Sequence, residues 1–304
     1  MSLSTAPQKI RSQTRPEVSS SIVLTTLRLL VDRLTPLLTH FRLHAGVFYT
    51  GNICGIHSFQ PESDTGHLHL VRRGPVQFLG LKESALEITA PSLVLIPRSG
   101  AHQLVADEQA GADVVCGTIK FGAGGQNPLI DSLPGFLLVE LAALPGVEAL
   151  LEMMFDEAFA DESGRQGIVD RLCEVLVIRL LRFGIGNGLT RGGTLAGLSD
   201  SRLAKVLSSI HDAPGEDWDL VRMAEVAGMS RARFALRFKE VTGETPADYL
   251  AAWRLLTAQR LLRSGKALKH VAYDVGYGSP SALARVFARK LGVTPTEWIK
   301  SVEP

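Results

Sequence analysis

The sequence predicts an α+β protein of two domains, a strand-rich N-terminal domain and an all-helical C-terminal one. Three observations carry that prediction. The chain has 304 residues, about twice a typical domain. Between residues 46 and 121 short runs rich in β-branched and aromatic residues alternate with Gly, Pro, Asp and Ser, the texture of an antiparallel barrel or sandwich. Beyond residue 200 the periodicity is helical, and a stretch repeats at an offset of 49: Phe238-Lys-Glu-Val-Thr-Gly-Glu-Thr-Pro246 against Phe287-Ala-Arg-Lys-Leu-Gly-Val-Thr-Pro295. A repeat of this length marks one supersecondary unit used twice.

Residues 1–20 are polar and aperiodic and are expected to be disordered. Residues 21–39 carry Leu24, Leu27, Leu30, Val31 and Leu34 at helical spacing, with Pro36 near the end, and predict a short amphipathic helix. Strands are expected over 46–50, 67–72, 76–81, 92–97 and 114–121. Helical spacing returns over 144–159 and 168–183; Leu172, Val175, Leu176 and Leu180 make the second helix amphipathic. Such a pair can cap the sheets or supply a dimer seam. The glycine-rich stretch 183–193 reads as a linker. No strand precedes it and no helix follows directly, so a dinucleotide-binding loop is rejected there.

Composition restricts the function. Hydrophobic residues make up 45% of the chain and charged residues 21%, values of a globular protein that buries a core. The net charge is only +1, but it is unevenly placed. From Met229 onward there are 13 Lys/Arg against 6 Asp/Glu, a surplus of +7, and the remainder holds 19 against 25, or −6. Basic charge gathered in one segment suits a polyanionic partner. Three widely spaced cysteines, Cys54, Cys116 and Cys173, fit no disulfide framework. With no long apolar run and no apolar stretch at the N-terminus, the expectation is a cytoplasmic protein without a membrane partner.

Each repeat unit reads as helix, tight turn, helix. In the first, a helix over 220–226 is followed by Ala227-Gly-Met229, with Ser230 as N-cap of a helix over 231–241. In the second, a helix over 268–275 is followed by Gly276-Tyr-Gly278, with Ser279 as N-cap and Pro280 in the first helical position. Thr245 and Pro246 start a joining helix that runs to about Arg263, and Thr294-Pro-Thr-Glu297 is a capping box for a last helix. A helical wheel turns Phe234, Phe238, Leu283 and Phe287 inward. It turns Ala232, Arg233, Leu236 and Lys239 outward in the first unit, and Ser281, Ala282, Arg285 and Arg289 outward in the second. Arginine binds guanine bidentately in a major groove, and small residues let a helix approach base edges. A plain helical bundle has no need of the same cap, turn and Gly-x-x-Pro punctuation twice, so two DNA-binding helix-turn-helix units are predicted.

These residues resemble the AraC/XylS family of transcription regulators. The resemblance rests on Ala272-Tyr-Asp-Val-Gly-Tyr-Gly-Ser279, Arg285-Val-Phe287 and Gly292-Val-Thr-Pro295, supported by Ala224-Glu-Val-Ala-Gly-Met-Ser230 and Tyr249-Leu-Ala-Ala-Trp-Arg254. It implies that each recognition helix enters a major groove on one face of the DNA. Leu236 stands where members commonly carry Arg, and Leu283 where they carry Phe. Upstream, His69-Leu-Val-Arg-Arg-Gly74, Leu93-Val-Leu-Ile-Pro97 through His102, Val115-Cys-Gly117 and Asn127-Pro-Leu129 are similar to the cupin-type sensor domain of one AraC-like subfamily. Pro91-Ser92 replaces a Gly-Asp turn common there.

The expected organisation is a disordered 1–20, a cupin-like β-barrel sensor and dimerisation domain with flanking helices over 21–185, a linker over 186–198 and the DNA-binding domain over 199–304. Arg231, Arg237 and Lys239 are expected to contact phosphates, with Arg285, Ser281 and Arg233 reading bases. His67 and His69 share one strand face, and His102 follows a turn that brings it near. Three imidazoles suit Zn or Fe, but Leu70-Val-Arg-Arg-Gly74 lacks the acid that an enzymatic cupin adds. These histidines are therefore read as polar groups of a ligand pocket, with no metal, no cofactor and no catalysis. The expected partners are double-stranded DNA, a small-molecule effector, a second copy of the chain, and RNA polymerase where the protein is an activator. The alternatives are a metal-dependent cupin enzyme with a DNA-binding appendage, and a general DNA-packaging protein.

Overall fold

The computed structural model describes residues 32–98, 100–122, 127–160 and 162–302. The expected disordered segment, and the part of the 21–39 helix before residue 32, lie outside these residues. A helix α1 spans Thr35–Phe41, with Pro36 in its first turn. Pro36 thus begins a helix and does not end one. Its missing N–H is harmless there because the first turn has no intrahelical acceptor for it.

Among the described residues nine strands follow: β1 (Leu43–Ile53), β2 (Gly55–Phe59), β3 (Thr65–Arg73), β4 (Val76–Leu79), β5 (Leu86–Ile88), β6 (Ser92–Ile96), β7 (His102–Ala106), β8 (Ala112–Phe121) and, after a short helix α2 (Pro128–Asp131), β9 (Leu137–Glu140). They form two antiparallel sheets, ordered β1-β8-β3-β6-β9 and β2-β7-β4-β5. This is the double-sheet form of a cupin-like domain. Alternation assigns the faces. In β3 and β6, Val71, Val94 and Ile96 pack with Val76, Phe78 and Leu104 of the second sheet, forming the core between the sheets. Leu68, Leu70, Leu93 and Leu95 point the other way, into a second core beneath helices.

Those helices are α3 (Glu148–Phe159) and α4 (Arg165–Gly186). Val169, Cys173, Leu176, Val177 and Leu180 give α4 its buried stripe, and burying each such side chain contributes roughly 1.5–3 kcal/mol. The chain then turns into α5 (Gly193–Ser199) and α6 (Leu203–Asp212). The expected linker over 186–198 is therefore helical in its second part. Leu195 and Leu198 are fully buried, in the same hydrophobic cluster as the sheet. Gly197 permits this packing, since a Cβ there would meet Leu207 Cδ1 at 2.5 Å.

The remaining helices are α7 (Leu220–Val226), α8 (Arg231–Thr242), α9 (Pro246–Arg263), α10 (Leu268–Asp274), α11 (Pro280–Leu291) and α12 (Pro295–Val302). The first unit, α7 and α8, shares the N-terminal domain's core through Met223, Phe234 and Phe238, joined there by Trp253 of α9. The second unit has a core of its own, built from Leu255, Ala258, Val271, Leu283, Phe287 and Trp298. Helix α9 enters both cores, its N-terminal half in the first and its C-terminal half in the second.

Candidate nucleic-acid interface and effector pocket

The two helix-turn-helix units are built by matching local devices. Asp219 caps α7 by accepting from the Arg222 N–H at 2.7 Å. Gly228, at φ +62°, turns the chain into α8, and Gly276, at φ +80°, does the same before α11; a side chain is disfavoured at both. Ser279 caps α11 by accepting from the Ala282 N–H at 3.2 Å. Ser230 occupies the N-cap position of α8 but makes no side-chain capping bond. Thr245 caps α9, and the Thr294–Glu297 box closes both ways, at 2.7 and 3.3 Å. Eighteen residues of α9 make a strut of about 27 Å between the units.

Phe234, Phe238, Leu283 and Phe287 are completely buried, and they aim the opposite faces of α8 and α11 outward. Arg231, Ala232, Arg233, Leu236, Arg237 and Lys239 are exposed on α8. Ser281, Arg285 and Arg289 are exposed on α11, with Ala282 half-buried. Arg231, Arg233, Lys239, Arg285 and Arg289 form no ion pair among the described residues. Arg237 differs. Its Nε and Nη2 both reach Asp200 Oδ2, at 3.0 and 2.9 Å. The other oxygen of Asp200 accepts the N–H groups of Arg202 and Leu203, at 2.9 and 3.0 Å, at the start of α6. Those two N–H groups and the Arg237 guanidinium together hold the Asp200 carboxyl below its usual range, against the upward push of burial.

Two residues that the sequence reading gives no role position the units. One is Asp200. The other is Arg254 of the strut, which donates to the carbonyls of Pro214 and Glu216, both at 2.8 Å, and lies 5.7 Å from the ring centroid of Tyr277. It ties the loop before α7 to the turn of the second unit. Neither residue lies on a recognition helix, so a search for outward-facing cations passes over both.

In the cupin-like domain, His69 of β3 meets His102 of β7 across the two sheets, Nε2 to Nε2 at 2.8 Å. His102 Nδ1 lies 2.9 Å from the Gly100 carbonyl. A carbonyl only accepts, so His102 carries its proton on Nδ1 and accepts on Nε2. His69 then donates from Nε2 and accepts on Nδ1, where Cys116 Sγ lies at 3.1 Å. The chain runs one way: Cys116 S–H to His69, His69 to His102, His102 to Gly100. Burial pushes the Cys116 thiol up to about 12. Burial also lowers all three histidine pKa values, with His102 adding to the effect on His67 and His69. His67 packs edge-on to His102 at 5.1 Å between centroids, and its buried Nδ1 has no partner. Phe59 stacks on His102 at 4.9 Å. The structure thus brings the three predicted histidines together, His69 and His102 hydrogen-bonded to each other and His67 in ring contact with both. The facing nitrogens of His69 and His102 hold a proton between them. Among the described residues, no three His, Cys, Asp or Glu side chains are arranged to hold a metal ion. A cleft of about 230 Å³ opens beside His102, lined in part by Ser58, Phe59 and Gln103. Among the described residues no helix is long and apolar enough to cross a membrane.

Comparison with known proteins gives the same two parts. Residues 32–184 match a family model described as a cupin, and residues 223–301 match one described as a helix-turn-helix domain. A protein of Streptomyces antibioticus designated an AraC-like transcription regulator is 34% identical over 211 residues, 67% of this chain and 69% of its own length. An HTH-type transcriptional regulator of Haemophilus influenzae is 28% identical over 269 residues, 80% of this chain and 89% of its own. The DNA-binding domain of AdpA, a global transcriptional factor solved in complex with a target DNA, is 35% identical; the match covers 34% of this chain and 93% of that one, with a TM-score of 0.33. The alternative of a metal-dependent enzyme finds no support among these relatives. The chain belongs to the AraC-like family of DNA-binding transcription regulators, with a cupin domain ahead of its helix-turn-helix domain.

Proposed function

We propose that this regulator reads adjacent major grooves with α8 and α11 and responds to a small molecule held in its cupin-like domain. The observation that carries the reading is the pair of outward faces, set by four buried apolar anchors and joined by one rigid strut. Arg285, Ser281 and Arg233 read bases, helped by Ala232, Ala282 and Leu236, which allow close approach. Arg231, Lys239 and Arg289 contact phosphates. Arg237, already paired with Asp200, orients α8 more than it touches DNA. No catalytic step enters this function. A sensor unit ending near residue 185 and a DNA-binding unit beginning near 199 divide the labour. The effector enters the cleft beside His102 that Ser58, Phe59 and Gln103 help to line, with His67 and His69 packed against that imidazole.

A homodimer completes the reading. On α4, Ile168 is 44% and Val175 42% exposed, with Leu172 half-buried between them, an apolar seam one helix face wide. The experiment that tests the function is selection of binding sites from random duplexes, followed by titration of the selected duplex at several salt concentrations. A consensus with two separated halves and a steep salt dependence is expected. Binding indifferent to sequence would instead favour a DNA-packaging protein.

A further inference from the structure

A second cleft lies at the C-terminal end of the strut. It has a volume of about 330 Å³, and its walls come from both halves of the protein: His40 and Arg42 at the end of α1, Gly122 at the end of β8, and Gln259, Arg260 and Arg263 in the last turns of α9. Among the described residues no acidic side chain lines it. Among the described residues the side chains of Arg42 and Arg260 form no hydrogen bond or ion pair. The Arg263 guanidinium sits 4.8 Å from the Trp298 ring centroid, which leaves its charge unneutralised.

Three guanidinium groups share this cleft, and among the described residues that line it none carries a counter-charge. Burial and the nearby Arg42 lower the Arg263 pKa. Burial, then Arg260 and Arg263, hold the His40 imidazole neutral. The crowding persists because packing fixes the groups. His40 lies against Phe41 and Trp253, with centroids 4.8 and 5.0 Å apart, and Arg33 donates to the Leu198 carbonyl at 3.0 Å. Like charges held at close range disfavour this arrangement, and an anion between them adds an attractive pair with each cation that offsets the repulsion. Guanidinium forks match the oxygens of carboxylate and phosphate bidentately. The volume is that of a small-molecule pocket.

We propose that this cleft binds a small multivalent oxyanion, a phosphate ester or a polycarboxylate, and that the bound anion fastens the sensor's first helix to the strut. This site is separate from the histidine pocket and does not depend on the DNA reading.

The test is thermal unfolding of the full chain without DNA, titrated with pyrophosphate and with citrate against sodium chloride of equal ionic strength. A saturable rise in Tm beyond the chloride control is expected with at least one anion. Arg42→Gln and Arg260→Gln should each weaken its apparent affinity at least tenfold. Arg260→Lys, which keeps the charge, should retain part of it, and Lys205→Gln, elsewhere on the surface, should retain it all. The absence of a saturable rise in the unaltered protein would overturn the proposal. Affinity unchanged from the parent in both glutamine variants would mean an adventitious ion only. Loss of the response in Arg231→Gln would place the anion on the recognition helix and overturn the assignment equally. Chloride-only melting curves of the glutamine variants, expected within a degree or two of the parent, separate lost binding from lost folding.

Discussion

Arg237 of α8 and Asp200 at the start of α6 form a two-nitrogen contact on one carboxylate oxygen, at 2.9 and 3.0 Å. Both partners are anchored. Asp200 caps α6 with its other oxygen, and Arg237 sits one residue before the buried Phe238. The guanidinium is therefore already neutralised when DNA arrives. Arg237→Ala should leave the slope of log K against log salt almost unchanged, whereas Arg231→Ala should reduce its magnitude by about 0.9 for one lost phosphate contact. Asp200→Ala removes both the cap and the ion pair, and should lower stability by about 1–2 kcal/mol. Salt titrations of the three variants, with urea melts of the third, check this. A full loss of one counterion in Arg237→Ala would return it to the phosphate contacts.

The buried Leu195 and Leu198 move the boundary of an independently folding C-terminal fragment upstream. Both are completely buried, and both belong to the cluster that holds Phe234 and Phe238. A fragment spanning 191–304 should fold and bind a duplex at low salt. One spanning 200–304 lacks both leucines and should be less stable by roughly 3–6 kcal/mol, at roughly 1.5–3 kcal/mol for each. Denaturant melts of the two fragments decide; equal midpoints would show that α5 belongs energetically to the sensor alone.

The sequence made the C-terminal half more legible than the N-terminal half, for a physical reason. Helix caps and positive-φ glycines are local, so Ser279, Thr245 and Gly276 announce their turns wherever they stand. Inward phenylalanines at a spacing of four, Phe234 and Phe238, fix a helix face without any tertiary information. The double sheet depends on pairing at long range. β2, β5, β7 and β9 are short, and nothing local shows that His57 lies opposite Leu104 or that β9 joins β6. The three histidines could be named because alternation puts His67 and His69 on one face. The link between His69 and His102 requires the two sheets to be stacked. Asp200 was illegible for the same reason, since its partner is 37 residues away. The stretch over 186–198 reads as a linker because its glycines dominate the pattern, while Leu195 and Leu198 declare their burial only against α6.

Two histidines at the junction of the cupin-like domain and the strut make stability depend on acid. Burial, then Arg260 and Arg263, lower His40 to about 4. Burial, then the neighbouring His40, lower His211 to about 3. His211 Nε2 lies 2.6 Å from the Tyr249 hydroxyl, its Nδ1 has no partner, and its ring lies 4.0 Å from that of Trp253. A histidine whose folded pKa lies below its unfolded value of 6.5 binds its proton more readily when released. Its contribution is therefore complete above pH 6.5 and is lost as the pH falls from 6.5 toward the folded value. At pH 5 each histidine should reduce stability by about 2 kcal/mol relative to pH 7, at 1.36 kcal/mol per unit. Melts of the parent and of His40→Leu between pH 7.5 and 4.5 test this. The variant should show a shallower decline, and identical slopes would mean that His40 titrates normally in the folded protein.

The seam on α4 predicts an oligomeric state. Replacing Ile168 and Val175 together by Asp places two charges on the exposed apolar face without entering the buried stripe of Val169, Cys173 and Leu176. The parent should sediment as a dimer at tens of micromolar, an order at which interfaces of ordinary size form, and the double variant as a monomer with an unchanged melting profile. A monomeric parent would remove the seam from the account and leave α4 as a cap on the sheet.

The two recognition helices should contribute unequally to sequence preference. Arg285 stands at the centre of the outward face of α11, with Ser281 a turn before and Arg289 a turn after. The corresponding place on α8 belongs to Leu236, 62% exposed and flanked by Ala232 and Lys239. A guanidinium directs two hydrogen bonds to a guanine, while Leu236 offers only an apolar contact, such as one with a thymine methyl. Arg285→Ala should therefore weaken specific binding by about 1–3 kcal/mol and relax base preference at one position. Leu236→Ala should weaken it less and shift preference only slightly. Since Leu236 carries no buried surface that the fold needs, its replacement should leave the melting temperature unchanged, so any effect on binding belongs to the interface. Site selection on both variants at one salt concentration compares them directly. An unchanged consensus for Arg285→Ala, together with a lost half-site for Leu236→Ala, would reverse the order and assign specificity to apolar contacts of α8.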